Sequence, residues 1–167
     1  MQLGRARTGI IAATGIATVA LLMAGSRAIA RHEQPVASYR DLTAARADGA
    51  FARGWLPELL PRSARQLREV HDLDTNARWL AFRADSADLA DVTATLAPLT
   101  LAQARSSAER RPSHAWLDAP PELGGFNLAT ARGAQQLGLY FAPAAAYCLA
   151  VEWRTGRAWG WSCAPAS

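Results

Sequence analysis

The chain opens on an uncharged, mostly apolar run from Thr8 to Gly25, preceded by Arg5 and Arg7 and closed by Ser26 and Arg27. A positive start, an apolar middle and a short polar end are the layout of an export signal. Ala28-Ile29-Ala30 sets small residues at the −3 and −1 positions of a cleavage after Ala30. Eighteen uncharged residues also reach the lower bound for a bilayer span, at roughly 1.5 Å per residue against a core of about 30 Å. Residues 1–30 are therefore read as a signal peptide or a signal anchor, with both forms open. No cysteine follows Leu22-Met23-Ala24-Gly25, so a lipid-carrying N-terminus is excluded. Residues 31–37 read as a tether, and 38–167 as one domain.

Beyond the tether the rhythm changes. Ser38, with Asp41 three residues on, predicts a capped helix through Leu42 and Ala45 toward Gly49, and Gly54 marks the next stop. Trp55-Leu56-Pro57 and Leu60-Pro61 form an apolar connection that plugs one edge of the core. Ala64 to Val70 and Ala77 to Arg83 predict two strands joined through the turn formers Asp72-Leu73-Asp74-Thr75-Asn76. Asp85 or Ser86 opens a helix with Leu89, Val92 and Leu96 on one face and Asp88 and Asp91 near its positive end. Residues 100–134, with Arg110-Arg111-Pro112, Pro120-Pro121 and Gly124-Gly125, read as mostly irregular. Leu137 to Phe141 resumes a strand that Pro143 breaks, and two further strands flank Thr155-Gly156. The sum is an α+β domain: an antiparallel sheet of about five strands with one or two helices on a face, preceded by a membrane-inserting N-terminal helix. Trp55, Trp79 and Trp116 are available to cover the other face.

The cysteines sharpen the end of this picture. With Thr155-Gly156 as a two-residue turn, cross-strand partners have numbers summing to 311, which sets Cys148 opposite Cys163. A bulge or small slip can adjust that register. In an oxidising compartment the pair forms a disulfide closing a loop of about fifteen residues, worth roughly 3 kcal/mol in the chain-entropy model.

Length and composition fit one folded domain. The chain has 167 residues, half of them apolar and 19% charged. Its net charge of +4 does not imply a nucleic-acid partner. Three of the eighteen basic residues lie in 1–30, which leaves fifteen Arg against fourteen acids, scattered rather than striped.

Gly54-Trp55-Leu56-Pro57, Leu60-Pro61-Arg62-Ser63-Ala64 and His71-Asp72-Leu73-Asp74-Thr75-Asn76 resemble a group of small bacterial membrane-anchored or exported proteins. The resemblance spans about a sixth of the chain. It implies a bacterial envelope setting and supplies neither an activity nor catalytic residues.

Candidate chemistry is sparse. His71, Asp72, Asp74 and Asn76 form the one dense polar run, and Asp-x-Asp-x-Asn resembles the start of a calcium loop. Position six holds Ala77 instead of Gly, and position twelve Arg83 instead of Glu. Asp72, Asp74 and Asn76 are thus weak metal candidates beside a plain turn reading. His71, His114 or His32 could serve Ser63 or Ser113 as a base, and Asp118 and Glu122 could pair, but no Gly-x-Ser-x-Gly, His-Glu-x-x-His, phosphate-loop or dinucleotide motif occurs. Trp159 and Trp161 share one face of the last strand, with Trp153 on the opposite face of its partner. With His71 they are the binding candidates, although core packing is the ordinary use of such rings. No cofactor is expected.

The preferred expectation is a non-enzymatic binding or assembly domain of the bacterial envelope, periplasmic or on the outer side of the cytoplasmic membrane. Residues 8–25 contact that membrane if uncleaved, and the partner is another envelope protein. The alternative is a periplasmic hydrolase or metal-binding domain using His71, Asp72, Asp74 and Asn76.

Overall fold

The computed structural model describes residues 35–109 and 136–163. Chain contacts separate residues 1–35 from 36–167 as two units, and the architecture below is that of the second. In chain order it contains β1 (Val36–Asp41), α1 (Leu42–Ala47), β2 (Arg65–His71), β3 (Arg78–Arg83), α2 (Ser86–Thr93), β4 (Ala97–Pro98), α3 (Leu101–Glu109), β5 (Gly138–Ala142), β6 (Tyr147–Glu152) and β7 (Arg157–Ser162). The strands form one antiparallel sheet of order β1-β2-β3-β7-β6-β5-β4. The α+β class agrees with the sequence reading, with seven strands in place of about five. The expected N-terminal helix and Trp116 lie outside the described residues. Among the described residues no helix is long and apolar enough to cross a membrane.

One surplus strand is β1, where tether and helix cap were expected. Its alternation buries Tyr39 between exposed Ser38 and Arg40, and pairing with β2 satisfies backbone that a free tether would leave to water. The helix cap consequently moves from Ser38 to Asp41, whose carboxylate accepts from the Ala44 amide at 2.9 Å. The other surplus strand is the two-residue β4.

Part of the stretch expected to be irregular is the helix α3. Thr100 and Gln103 form a reciprocal cap ahead of it. The Gln103 carboxamide accepts from the Thr100 amide at 2.9 Å, and the Thr100 hydroxyl from the Gln103 amide at 3.2 Å. That Thr-x-x-Gln signature stands in the sequence, so the helix start was legible there.

The two sheet faces carry separate cores. Leu67, Leu80, Phe82, Tyr147, Leu149 and Val151 face one way, toward Ala45 of α1, Leu89 of α2 and Leu56 and Leu60 of the Trp55–Pro61 connection. Trp79, Trp159, Trp161, Cys148 and Cys163 face the other way, with Ala104 of α3. Helices therefore lie on both faces rather than one. Trp79 lines the second face as expected, whereas Trp55 belongs over the first, beside His71.

The C-terminal hairpin differs from expectation in register. Cys148 pairs with Trp161 and Glu152 with Arg157, so partner numbers sum to 309. The loop is the four-residue Trp153–Gly156, with the Thr155 and Gly156 amides both donating to the Glu152 carbonyl. Gly156 takes φ +64, and a Cβ there would strike the Ala84 carbonyl oxygen. A shift of two residues preserves side-chain parity, so Trp159 and Trp161 still share a face and Trp153 lies opposite. Cys163 bonds the Ala146 carbonyl just beyond β7 and reaches Cys148 diagonally, at a Cα separation of 5.7 Å, where the two form the disulfide.

Candidate functional site

Strand parity places an unusual set of side chains on the α1/α2 face. In β2, Leu67, Glu69 and His71 point the same way, and the neighbouring strand contributes Arg78 opposite His71. The Arg78 amide donates to the Ser162 hydroxyl at 2.9 Å, and Ser162 pairs with Tyr147 on β6. Four polar residues thus form a row across β2, β3, β7 and β6, with Glu69 one step behind His71.

Glu69, His71 and Tyr147 are sealed from water, and Arg78 is half-buried. Glu69 is 1% exposed, His71 7% and Tyr147 1%. Glu69 Oε1, His71 Nδ1, Arg78 Nε and Tyr147 Oη are each buried with no hydrogen-bond partner. Glu69 Oε1 and His71 Nδ1 lie 3.7 Å apart, close enough for an ion pair between charged groups but too long for a hydrogen bond. Their proton affinities decide which description holds. Burial pushes the Glu69 carboxyl up to about 8, against the pull of Arg53 and Arg78. Burial lowers His71, assisted by Arg78 and opposed by Asp72. At neutral pH both are uncharged, so the pair is a neutral acid beside a neutral base. Tyr147 is raised well above the usual phenol range, again by burial.

A short segment roofs the pair. The chain leaves α1 through Gly49, in the left-handed region at φ +77, and coils back to Trp55. Amides of Arg53, Gly54 and Trp55 bond the carbonyls of Gly49, Phe51 and Ala50 at 2.9–3.0 Å. Trp55 meets the His71 ring edge-on, centroids 5.0 Å apart, and the Arg53 guanidinium lies 3.9 Å over the Trp55 ring. Arg53 also holds the Asp48 carboxylate at 2.6 Å, which accepts the Tyr39 hydroxyl at 2.9 Å. Arg78 closes the roof from below, its Nη1 donating to the Gly54 carbonyl at 2.5 Å.

The polar run seen in sequence is divided by the fold. His71 points into this nest. Asp72 instead closes the β2–β3 turn, accepting from the Thr75 amide and hydroxyl at 2.8 Å and from the Asp74 amide at 3.2 Å. Asp74 is exposed, and Asn76 supplies a left-handed position at φ +55. Among the described residues no three His, Cys, Asp or Glu side chains are grouped to hold a metal ion. Trp159 and Trp161 are 9% and 4% exposed on the disulfide face, so packing occupies the ring faces that a sugar or a bilayer interface would need. Ser63 is engaged with the start of α2: its hydroxyl accepts the Asp85 amide and its amide donates to Asp88. His32, Ser113, His114, Asp118 and Glu122 lie outside the described residues.

Glu69 and Arg78 were missing from the sequence candidates. Their signal is parity: Glu69 between Leu67 and His71, and Arg78 ahead of Leu80 and Phe82, are charges in inward-facing positions of alternating strands.

Residues 33–83 match a family model described as the YbbD head domain, under half of the chain. The match sets this stretch beside a small bacterial family. It runs from ahead of β1 to the end of β3, so it contains the roof, Glu69, His71 and Arg78. No curated protein and no solved structure matches the chain.

Proposed function

We propose that the chain is an exported envelope protein whose disulfide-clamped α+β domain acts by binding or assembly rather than by catalysis. Residues 1–30 either hold it at the cytoplasmic membrane or are removed to release it into the periplasm. The observation that carries this reading is the Cys148–Cys163 pair, which ties the end of β7 to β6 and persists only where thiols are kept oxidised. The export-type layout of the first thirty residues supports the same address independently. A binding rather than catalytic role draws on the burial of Glu69 and His71, the groups with shifted proton affinity, behind the Arg53–Trp55 roof. A hydrolase or metal domain built on His71, Asp72, Asp74 and Asn76 finds less support, because Asp72 is committed to its turn.

The test is fractionation with thiol alkylation. Cells are lysed into alkylating reagent, and the protein is followed through cytosolic, periplasmic and membrane fractions. The expected result is protein in the envelope fractions with both cysteines inert until reduction. Full-length protein in the cytosol with two alkylated cysteines overturns the proposal. Crosslinking in situ then identifies the component bound.

A further inference from the structure

We propose that Glu69, His71 and Arg78 form a proton-operated latch beneath residues 49–55, which loosens when the Glu69 carboxyl gives up its proton and draws Arg78 from the Gly54 carbonyl.

The geometry supplies the parts. Arg78 sits opposite His71 and is the diagonal cross-strand neighbour of Glu69, on the same face and within reach of a long side chain. Its guanidinium now serves the roof through Nη1, while its buried Nε has no partner. Glu69 Oε1 is likewise buried without a partner. A carboxylate formed there has few ways to offset its desolvation: Arg53 of the roof is already held by Asp48, which leaves the Arg78 guanidinium on the adjacent strand to turn toward it. Turning Arg78 toward Glu69 removes the bond to Gly54, a polar tie between sheet and roof. A second tie is the edge-on contact of Trp55 with His71, whose ring lies 3.7 Å from the carboxyl at Nδ1 and shifts with it.

The surrounding charges set the direction of the response. β1 contributes Tyr39, the turn after α1 contributes Asp48, the roof Arg53, β3 Arg78, β6 Tyr147 and the turn after β2 Asp72. Asp48 is engaged by both Arg53 and Tyr39. Both tyrosines are raised, Tyr39 to about 12, so neither releases a proton before Glu69 does. Asp72 is bound into its turn, where its carboxylate accepts from the Thr75 amide. The pair itself therefore carries the transition, with Glu69 ionising at about 8 and His71 neutral above 6.5.

Backbone exchange reads the latch directly, because the Arg53, Gly54 and Trp55 amides are hydrogen-bonded within the roof. Hydrogen exchange of the full chain with its disulfide intact is measured at pH 6 and pH 9 and corrected for the intrinsic pH dependence. The expected result is at least a tenfold loss of protection at 53–55, with 53–55 exchanging faster than β6 at pH 9. In Glu69→Gln, which keeps the shape of the protonated acid, protection at 53–55 is the same at both pH values. Arg78→Gln leaves 53–55 weakly protected at both. Unchanged protection of 53–55 in the unmodified protein overturns the latch, and that measurement needs no variant. Protection at 53–55 that stays equal to that of β6 at pH 9, or a loss that persists in Glu69→Gln, overturns it as well.

Discussion

Replacing Glu69 by Gln exchanges a buried acid for a neutral side chain of nearly the same shape, and its effect on stability is set by pH. In the fold the carboxyl ionises at about 8, against 4.5 in the unfolded chain. The folded value is the raised one, so stability is undiminished below 4.5 and is lost as pH rises toward 8. At about 1.4 kcal/mol for each pH unit between the two values, the full loss is roughly 5 kcal/mol. His71 has the opposite sign. Its folded value is lowered, so it costs stability as pH falls below 6.5 and contributes no slope above that. Between pH 6.5 and 8 the Glu69 contribution therefore stands alone, worth roughly 2 kcal/mol of decline. The glutamine side chain of the variant carries no such slope, although its buried amide costs about 1–3 kcal/mol where it lacks partners. The expected outcome at pH 9 is a variant more stable than the unmodified protein by roughly 2–4 kcal/mol, with the difference vanishing or reversing at pH 5. Urea unfolding followed by tryptophan fluorescence at half-unit steps from pH 5 to 9, disulfide intact, measures it. Parallel curves for the two proteins across 6.5–8 refute the reasoning, since they would mean that Glu69 ionises alike folded and unfolded.

Three further variants probe the frame around the nest. A Cβ added at Gly160 would enter the Tyr147 ring, lying 2.9 Å from both Cζ and Oη, so Gly160→Ala should cost about 1–3 kcal/mol by overpacking. Unchanged thermal unfolding of that variant would mean that the ring moves aside freely. Cys148→Ser combined with Cys163→Ser releases the loop of fifteen residues and should lower stability by roughly 3 kcal/mol in denaturant titration, whereas equality with the reduced wild type is expected throughout. Thr100→Ala removes one half of the cap on α3 and should cost about 1 kcal/mol, seen as faster exchange of the Ala104 amide, which bonds the Thr100 carbonyl. A slower or unchanged rate there would place the helix start elsewhere.

Short-range rules place several elements from the sequence alone. The alternation in Ala77 to Arg83 fell within a residue of β3. Asp85 stands as the N-cap of α2, and Pro143 ends β5. The Cys148–Cys163 pair was found through a register wrong by two residues, because an even slip leaves every side chain on its proper face. Two errors came from local ambiguity. Ser38 and Asp41 both suit a cap, and only pairing with β2 decides that Ser38 belongs to a strand. The Thr100-x-x-Gln103 cap signal stands in the sequence, directly ahead of the Pro- and Gly-rich residues on which the irregular reading of 100–134 rests.

The sequence by itself determined the class of the domain, the partner of each cysteine and the faces of Trp79, Trp153, Trp159 and Trp161, since periodicity, turn chemistry and parity act over a few residues. Only the tertiary structure decided that Glu69, His71, Arg78 and Tyr147 meet. They come from three separate strands of a sheet whose order, β3 beside β7, follows from long-range packing. Their altered proton affinity belongs to that meeting as well, because desolvation depends on what covers a group and not on its neighbours along the chain.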